Sequence, residues 1–460
     1  MGFGALPRTA AQRQRAGLVR FRARQSREEQ QEKMMKPLRS IAYGLVLGLS
    51  LAASTRAADL PTAKPESLGF TSERLARIKP AIQREIEKGQ YPGAVMLVAR
   101  KGRIAYFESV GQLDPASGKP MTKDAIFRLY SMTKPYTSVA IMMLMEEGKL
   151  RVTDPVSRYI PAFAGLQVSV ATTDPYTGAT KYVNVPADRE INIQDLLRHT
   201  SGFVYASLTA HPRVKELYAK EGVDWKDVTA AEQIARLARV PLAHQPGTTF
   251  EYGLSTDVLG RIIEAVSGVP LGQFLQKRLF TPLGMTDSAF VVPQDKLGRL
   301  AQPFATDPAT KTPISLLDVT VTQKNDAGGG GSVGTASDYA RFLQMLINGG
   351  ELDGVRLLSP TTVRYMTADH LGPDTKFSGV TTLPDGTGFG LGFAVRKETG
   401  GFEVTGNAGE YYWAGAAGTG FYVDPKDDII CVWMTQGQPG MARRYDRYLF
   451  KQMVYQAIVK

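Results

Sequence analysis

The chain has 460 residues, 43% of them hydrophobic, enough for a large core and for two packed subdomains. Its formal net charge is +11, but residues 1–57 hold 11 Arg/Lys against 3 Glu, which places +8 there and leaves +3 (11 minus 8) for the remainder. A nearly balanced body has no electrostatic footprint for nucleic acid, and the single cysteine, Cys431, excludes an internal disulfide.

The basic start leads into "MKPLRSIAYGLVLGLSLAASTRAADLP". Lys36 and Arg39 form a positive n-region, and Ile41 to Ala53 is an apolar run of 13 residues, short for a membrane span. Thr55-Arg56-Ala57 then offers small residues at the −3 and −1 positions. This pattern predicts a signal peptide cleaved after Ala57, an exported (periplasmic or secreted) protein, and no stable membrane insertion once the signal is removed. An uncleaved anchor is the competing reading. Residues 1–34 precede an ordinary signal start at Met34 or Met35 and read as an over-extended start.

"TSERLARIKPAIQREIEKG" (71–89) predicts an amphipathic helix, with Leu75, Ile78, Ile82 and Ile86 on one face and Pro80 as its weak point. Two β-rich runs follow in "GAVMLVARKGRIAYFESVG", joined by a turn at Lys101-Gly102. From about 135 to 320 the pattern is helical with long loops. The exception is "VSVATTDPYTGATKYVNV", which predicts a hairpin around a Pro/Gly turn. "STDVLGRIIEAVSG" reads as a helix stopped by Gly268. Strand patterns return from about 385 in "FGLGFAVRK", "FEVTG", "GTGFYVDP" and "IICVWMTQ", and a C-terminal helix follows in "YDRYLFKQMVYQAIV". The expected fold is therefore α/β (α+β). One antiparallel sheet flanked by helices would be built from the two ends of the body (about 65–130 and 325–460), with a mostly helical insertion (about 131–324). Ser131 falls where the two parts meet, a usual place for a cleft.

Ser131-Met132-Thr133-Lys134 pairs a serine with a lysine three residues later. One S-x-x-K is about what chance supplies in a chain this long. Pro135, however, has no N–H and is tolerated only near a helix start. The apolar run "TSVAIMMLMEEG" after it therefore places Ser131 at a helix N-terminus, with Lys134 one turn on. A serine hydroxyl becomes a nucleophile when a neighbouring base removes its proton, and its own backbone N–H can face the developing oxyanion. The alternative is a helix-capping serine beside a solvated lysine. A rival nucleophile, Ser332 in Gly330-Gly331-Ser332-Val333-Gly334, fits G-x-S-x-G formally. It follows a flexible glycine run rather than the strand that a nucleophile elbow requires. The histidines, His199, His211, His244 and His370, show no metal-ligand spacing, so neither metal nor cofactor is expected.

These residues, together with "LLRHTSGF", "FEYGLSTDVLGRIIEAVSG", "PLGMTDSAF", "GGGGSVGTASDYARFL" and "WAGAAGTGFYVDP" in that order, resemble the serine β-lactamase and penicillin-recognising hydrolase family. The resemblance covers roughly residues 65 to 458 and points to the class C-like (family VIII) esterase branch. It implies Ser131 as the acylated nucleophile, Lys134 as its base partner, and Tyr252 as a phenolate-like proton shuttle polarised by Lys134. Trp413-Ala414-Gly415 stands where the family usually has Lys-Thr-Gly or His-Thr-Gly, and the Ala416 N–H would complete the oxyanion hole with that of Ser131. Leu254 replaces the asparagine of the Tyr-x-Asn motif, with Ser255 a candidate substitute. His199 in "HTSG" reads as a structural turn capped through Gly202, since no orienting acid is identifiable.

The leading expectation is a serine hydrolase acting on small to medium carboxylic esters. A D-peptidase or β-lactamase acting on cell-wall peptides or β-lactams is the first alternative, and a non-catalytic binding protein the second. A small-molecule ester or amide is the expected partner; the sequence does not give the oligomeric state.

Overall fold

The structure, a computed structural model, describes residues 1–2, 59–223, 227–379, 383–401, 403–437 and 444–460. The expected signal peptide and its cleavage point lie outside these residues. The chain divides into two units, Met1–Arg56 and Ala57–Lys460, and every element below belongs to the second.

β1 (Gly93–Arg100) and β2 (Arg103–Asp114) form the hairpin read from the sequence, with Lys101 and Gly102 at φ +53° and +72°. Two successive positive φ values match the twist of paired strands. β3 (Lys119–Pro120) extends this edge. The other strands come from the far end of the chain: β4 (Thr387–Phe389), β5 (Ala394–Arg396), β6 (Tyr411–Ala414), β7 (Gly420–Asp424) and β8 (Ile429–Thr435). The sheet runs β4-β5-β6-β7-β8-β1-β2-β3, antiparallel throughout, so the pairing of two interior strands, β8 and β1, joins the two ends of the body.

β1 is buried at every position, because side chains of alternate residues enter different cores. Ala94, Met96 and Val98 join the cluster of α1 (Ile78–Glu87) and α5 (Arg444–Tyr455), with Ile78, Ile82, Phe450 and Val454. Val95, Leu97 and Ala99 join the larger cluster of α2 (Thr133–Glu146) and α4 (Ala336–Ile347), with Val139, Tyr339 and Phe342. Each buried Val or Leu side chain contributes roughly 1.5–3 kcal/mol, so this double-faced strand anchors both layers. Cys431 on β8 is fully buried on the α1/α5 side.

The described residues of 121–386 add no strand to this sheet. They supply α2, α3 (Ser255–Ser267), α4, shorter helices and the hairpin Gln167–Thr173/Thr180–Pro186. Two segments differ from the sequence reading. The helix expected over 71–89 is broken into Ser72–Leu75 and Ile78–Glu87, because Pro80 cannot donate the bond that would continue the first turn into the second. "FEVTG" makes no strand over its described residues, 403–406. The Arg396 guanidinium takes the Val404 carbonyl (2.7 Å), removing an acceptor that a strand pairing would need.

Candidate active site

Ser131 lies in the tight turn Tyr130–Met132 that leads directly into α2, with Pro135 the third residue of that helix. The helix is capped at Met132 and no side chain makes the capping bond, so the Ser131 hydroxyl is not a cap. Tyr130 has φ +46°, a left-handed conformation that a bulky residue rarely adopts. It is held there in part by Leu317, whose N–H donates to the Tyr130 hydroxyl (2.8 Å). The strained turn presents Ser131 at a partly exposed position while Met132 and Thr133 are buried.

Around the Ser131 hydroxyl the structure brings together the residues expected from the sequence. The Tyr252 hydroxyl donates to Ser131 Oγ at 2.6 Å, and Lys134 Nζ reaches it at 3.4 Å. Lys134 is 1% exposed, and Nζ also donates to the Gly329 carbonyl (2.6 Å) and to the Tyr205 hydroxyl (3.1 Å). No carboxylate forms a salt bridge with it among the described residues. No hydrogen bond joins Nζ to the Tyr252 hydroxyl either. The ammonium instead faces that ring, 4.8 Å from its centroid. The Lys134 charge thus faces Tyr252 through the ring rather than through a hydrogen bond, and both groups converge on Ser131.

Gly329 approaches this closely because a Cβ on it would lie 2.4 Å from the Asp257 carboxylate; only glycine lets the loop pass the start of α3. Tyr205 was not singled out in the sequence. Its only cue is a position three residues after Gly202 of "HTSG", and its approach to Lys134 depends on tertiary folding.

Trp413 on β6 packs against Tyr252 with the rings tilted by 58° and their centroids 5.2 Å apart, meets Phe389 edge-on at 5.3 Å, and is 6% exposed. After it, Gly415 packs onto the turn before Ser131. A Cβ there would stand 2.3 Å from the Leu129 carbonyl, which also accepts from the Thr419 hydroxyl (3.3 Å). Ala414 is half-buried at the end of β6, and Ala416, beyond Gly415, is exposed. Ser255 does not take over from the asparagine that Leu254 replaces. It is fully buried with its hydroxyl 2.9 Å from that of Ser201, because the first turn of α3 is itself interior.

His199 is 1% exposed and makes no hydrogen bond with Ser131. It occupies the left-handed position (φ +56°) just past the helix Ile193–Leu197. The Thr200 N–H bonds the Asp195 carbonyl (2.8 Å) and the His199 N–H that of Leu196 (3.3 Å). This is a Schellman cap built on His199, not on Gly202 as the sequence suggests. Burial, then the Lys134 charge, holds the imidazole pKa well below its usual value. The neutral ring accepts the Gly253 N–H at Nδ1 (3.4 Å) and packs 4.8 Å from Tyr252. Ser332, the rival nucleophile, is 1% exposed with its hydroxyl 2.7 Å from that of Thr133. Among the described residues no group of three or more His, Cys, Asp or Glu could hold a metal ion.

Comparison with known proteins identifies the family. The profile of the β-lactamase family matches residues 78–452. Protein Rv1367c of Mycobacterium tuberculosis is 35% identical, the match covering 79% of this chain and 90% of that protein. Esterase EstB of Burkholderia gladioli is 30% identical over 76% of this chain and 87% of its own. The solved structure of EstCE1, "a hydrolase with promiscuous acyltransferase activity", superposes with a TM-score of 0.69 at 29% identity, covering 83% of this chain and 99% of that one. A nucleophile-ready serine beside a buried lysine, in the expected fold and with these relatives, leads to one assignment: the chain belongs to the β-lactamase family of serine hydrolases.

Proposed function

We propose that the protein is an exported carboxylesterase that hydrolyses small to medium uncharged esters through a Ser131 acyl-enzyme. The observation that carries this reading is the position of Ser131 Oγ, which serves no capping role and is held between the Tyr252 hydroxyl (2.6 Å) and Lys134 Nζ (3.4 Å). In acylation, Tyr252 acts in its phenolate form, with the Lys134 ammonium facing its ring: Ser131 Oγ attacks the ester carbonyl while its proton passes along the short contact to the phenolate oxygen, leaving a neutral phenol. The oxyanion is received by the backbone N–H groups of Ser131 and Ala416. The same proton is returned to the departing alcohol. Water then attacks the acyl-serine, giving up a proton along the same route, and the carboxylic acid leaves.

Trp413 supports an uncharged substrate. It fills, with an apolar ring packed on Tyr252 and Phe389, the place where the resemblance expects a cation to grip a carboxylate. Naming of two relatives as an esterase and a hydrolase is in line with this. Export rests on the sequence pattern around Ala57 alone.

The test is a panel of p-nitrophenyl esters of graded acyl length, with nitrocefin alongside, for wild type, Ser131→Ala and Ser332→Ala. Ser131→Ala should lose at least about 10³-fold in kcat, whereas Ser332→Ala should keep ester hydrolysis. Hydrolysis undiminished in Ser131→Ala overturns the assignment. Nitrocefin turnover without ester cleavage would favour the peptidase or β-lactamase reading. Failure of a fluorophosphonate probe to label Ser131 would favour a binding protein.

A further inference from the structure

Glu251, the residue before Tyr252, is 3% exposed, although an apolar residue would fill that place without the cost of burying a carboxylate. Its Oε2 meets His244 Nε2 at 2.5 Å. Oε1 makes no well-aligned hydrogen bond, yet the Thr209 and Ser378 hydroxyls lie near enough to favour the charged form. Burial alone would push the carboxyl pKa up; His244 and these hydroxyls outweigh it and hold the pKa below the usual range.

Three segments meet at this carboxylate. The first carries His244. The second is the turn after Tyr205, whose carbonyl accepts the N–H groups of both Leu208 and Thr209 (3.0 Å each). The third is Ser378–Gly379, so closely packed that a Cβ on Gly379 would stand 2.7 Å from Glu251 Oε1 and 2.9 Å from the Leu208 carbonyl. Tyr252 is bracketed in the same region, since the Glu251 N–H bonds the His199 carbonyl (3.0 Å) and the Gly253 N–H bonds its ring (3.4 Å). Both tyrosines in contact with Lys134, one through its hydroxyl and one through its ring face, therefore hang from segments that Glu251 ties together.

We infer that Glu251, paired with His244, is a positioning residue that sets Tyr252 and Tyr205 around Lys134, and thereby holds the Tyr252 hydroxyl on Ser131. The inference rests on the reading of Ser131 as nucleophile. A misplacement of about 1 Å in a proton-transfer group costs up to about 10²-fold in rate. Glu251 touches neither Ser131 nor substrate in this scheme, so its loss should appear in kcat and leave substrate binding alone.

The experiment compares wild type, Ser131→Ala, Glu251→Leu, Glu251→Gln and His244→Ala for kcat and KM on one p-nitrophenyl ester. Melting temperature and the rate of fluorophosphonate labelling are measured on the same samples. Glu251→Leu and His244→Ala should each lower kcat by about 10- to 100-fold and slow labelling, with KM within about threefold of wild type. Glu251→Gln should keep kcat within about threefold, because its amide oxygen still accepts from His244. Should Glu251→Leu fail to fold, His244→Ala and Glu251→Gln carry the test. A folded His244→Ala with wild-type kcat, an equal loss in Glu251→Gln and Glu251→Leu, or a loss confined to KM would each overturn the inference. An active Ser131→Ala would instead overturn the nucleophile assignment, whatever the Glu251 variants do.

Discussion

Tyr252→Phe isolates a single oxygen. The phenyl ring keeps the contacts that fix its place: His199 at 4.8 Å, Trp413 at 5.2 Å, Tyr205 at 5.4 Å and the Lys134 ammonium at 4.8 Å. Only the 2.6 Å hydrogen bond to Ser131 is lost, which costs folding about 0.5–1.5 kcal/mol. A melting shift of a few degrees at most should follow. The chemical step should suffer far more. A positioned base contributes about 10²–10⁴-fold, or roughly 2.7–5.5 kcal/mol of barrier. After the substitution, the base still within reach of Ser131 is Lys134, at 3.4 Å and already committed to Gly329 and Tyr205. The assay is kcat and KM on p-nitrophenyl acetate, with melting followed on the same samples. A variant that keeps kcat within about tenfold of wild type would refute the proton route through Tyr252 and assign the base role to Lys134 alone.

Ser332→Ala should leave ester hydrolysis intact but destabilise the fold by about 0.5–1.5 kcal/mol, because the buried Thr133 hydroxyl loses its 2.7 Å hydroxyl partner while still accepting from the backbone N–H of residue 332 (3.1 Å); unchanged stability in chemical denaturation would refute this structural role. Asp338, 5% exposed, accepts from the Asp287 N–H (2.8 Å) and the Ser288 hydroxyl (2.9 Å), and burial raises its pKa from 3.8 to about 6. The folded state therefore favours the protonated form: the stability it contributes is fully present below about pH 4 and lost as pH rises through about 6, a swing of about 3 kcal/mol for a shift of about two units. Asp338→Asn cannot titrate and should gain stability relative to wild type by up to that amount between pH 4 and 7; parallel stability curves for the two proteins would refute it.

The outer architecture was legible because its signals are local. The continuous β-rich runs of β1 and β8, the Lys101-Gly102 turn and the Gly268 stop each depend on neighbouring residues, and each appears where the pattern places it. Pro135 marked the start of α2 for the same reason. What escaped depends on distant partners. Whether 403–406 pairs as a strand is decided by the Arg396 side chain, and whether Ser255 reaches the cleft is decided by Ser201 on another segment. The left-handed cap fell to His199 rather than Gly202 because the helix Ile193–Leu197 ends earlier than its sequence pattern suggests. Tyr205 lies in a stretch without periodicity, and nothing short of the fold connects it with Lys134.

The division of labour around Ser131 is what the proposed nucleophile requires. Each residue flanking Ser131 carries a fixed load. Arg128 is held by Gln436 and binds the Leu317 and Ala301 carbonyls; the Leu129 carbonyl receives Thr419; the Tyr130 hydroxyl receives Leu317; the Met132 carbonyl receives the Tyr339 hydroxyl; and Thr133 binds Ser332. The Ser131 hydroxyl alone in this run contacts nothing but the two groups able to exchange a proton with it, Tyr252 and Lys134. A capping or packing serine would show the reverse, with its hydroxyl on backbone and its neighbours free. Because the neighbours absorb the strain of the positive φ at Tyr130, the turn can hold Ser131 in place without using its hydroxyl, which leaves that oxygen available for attack.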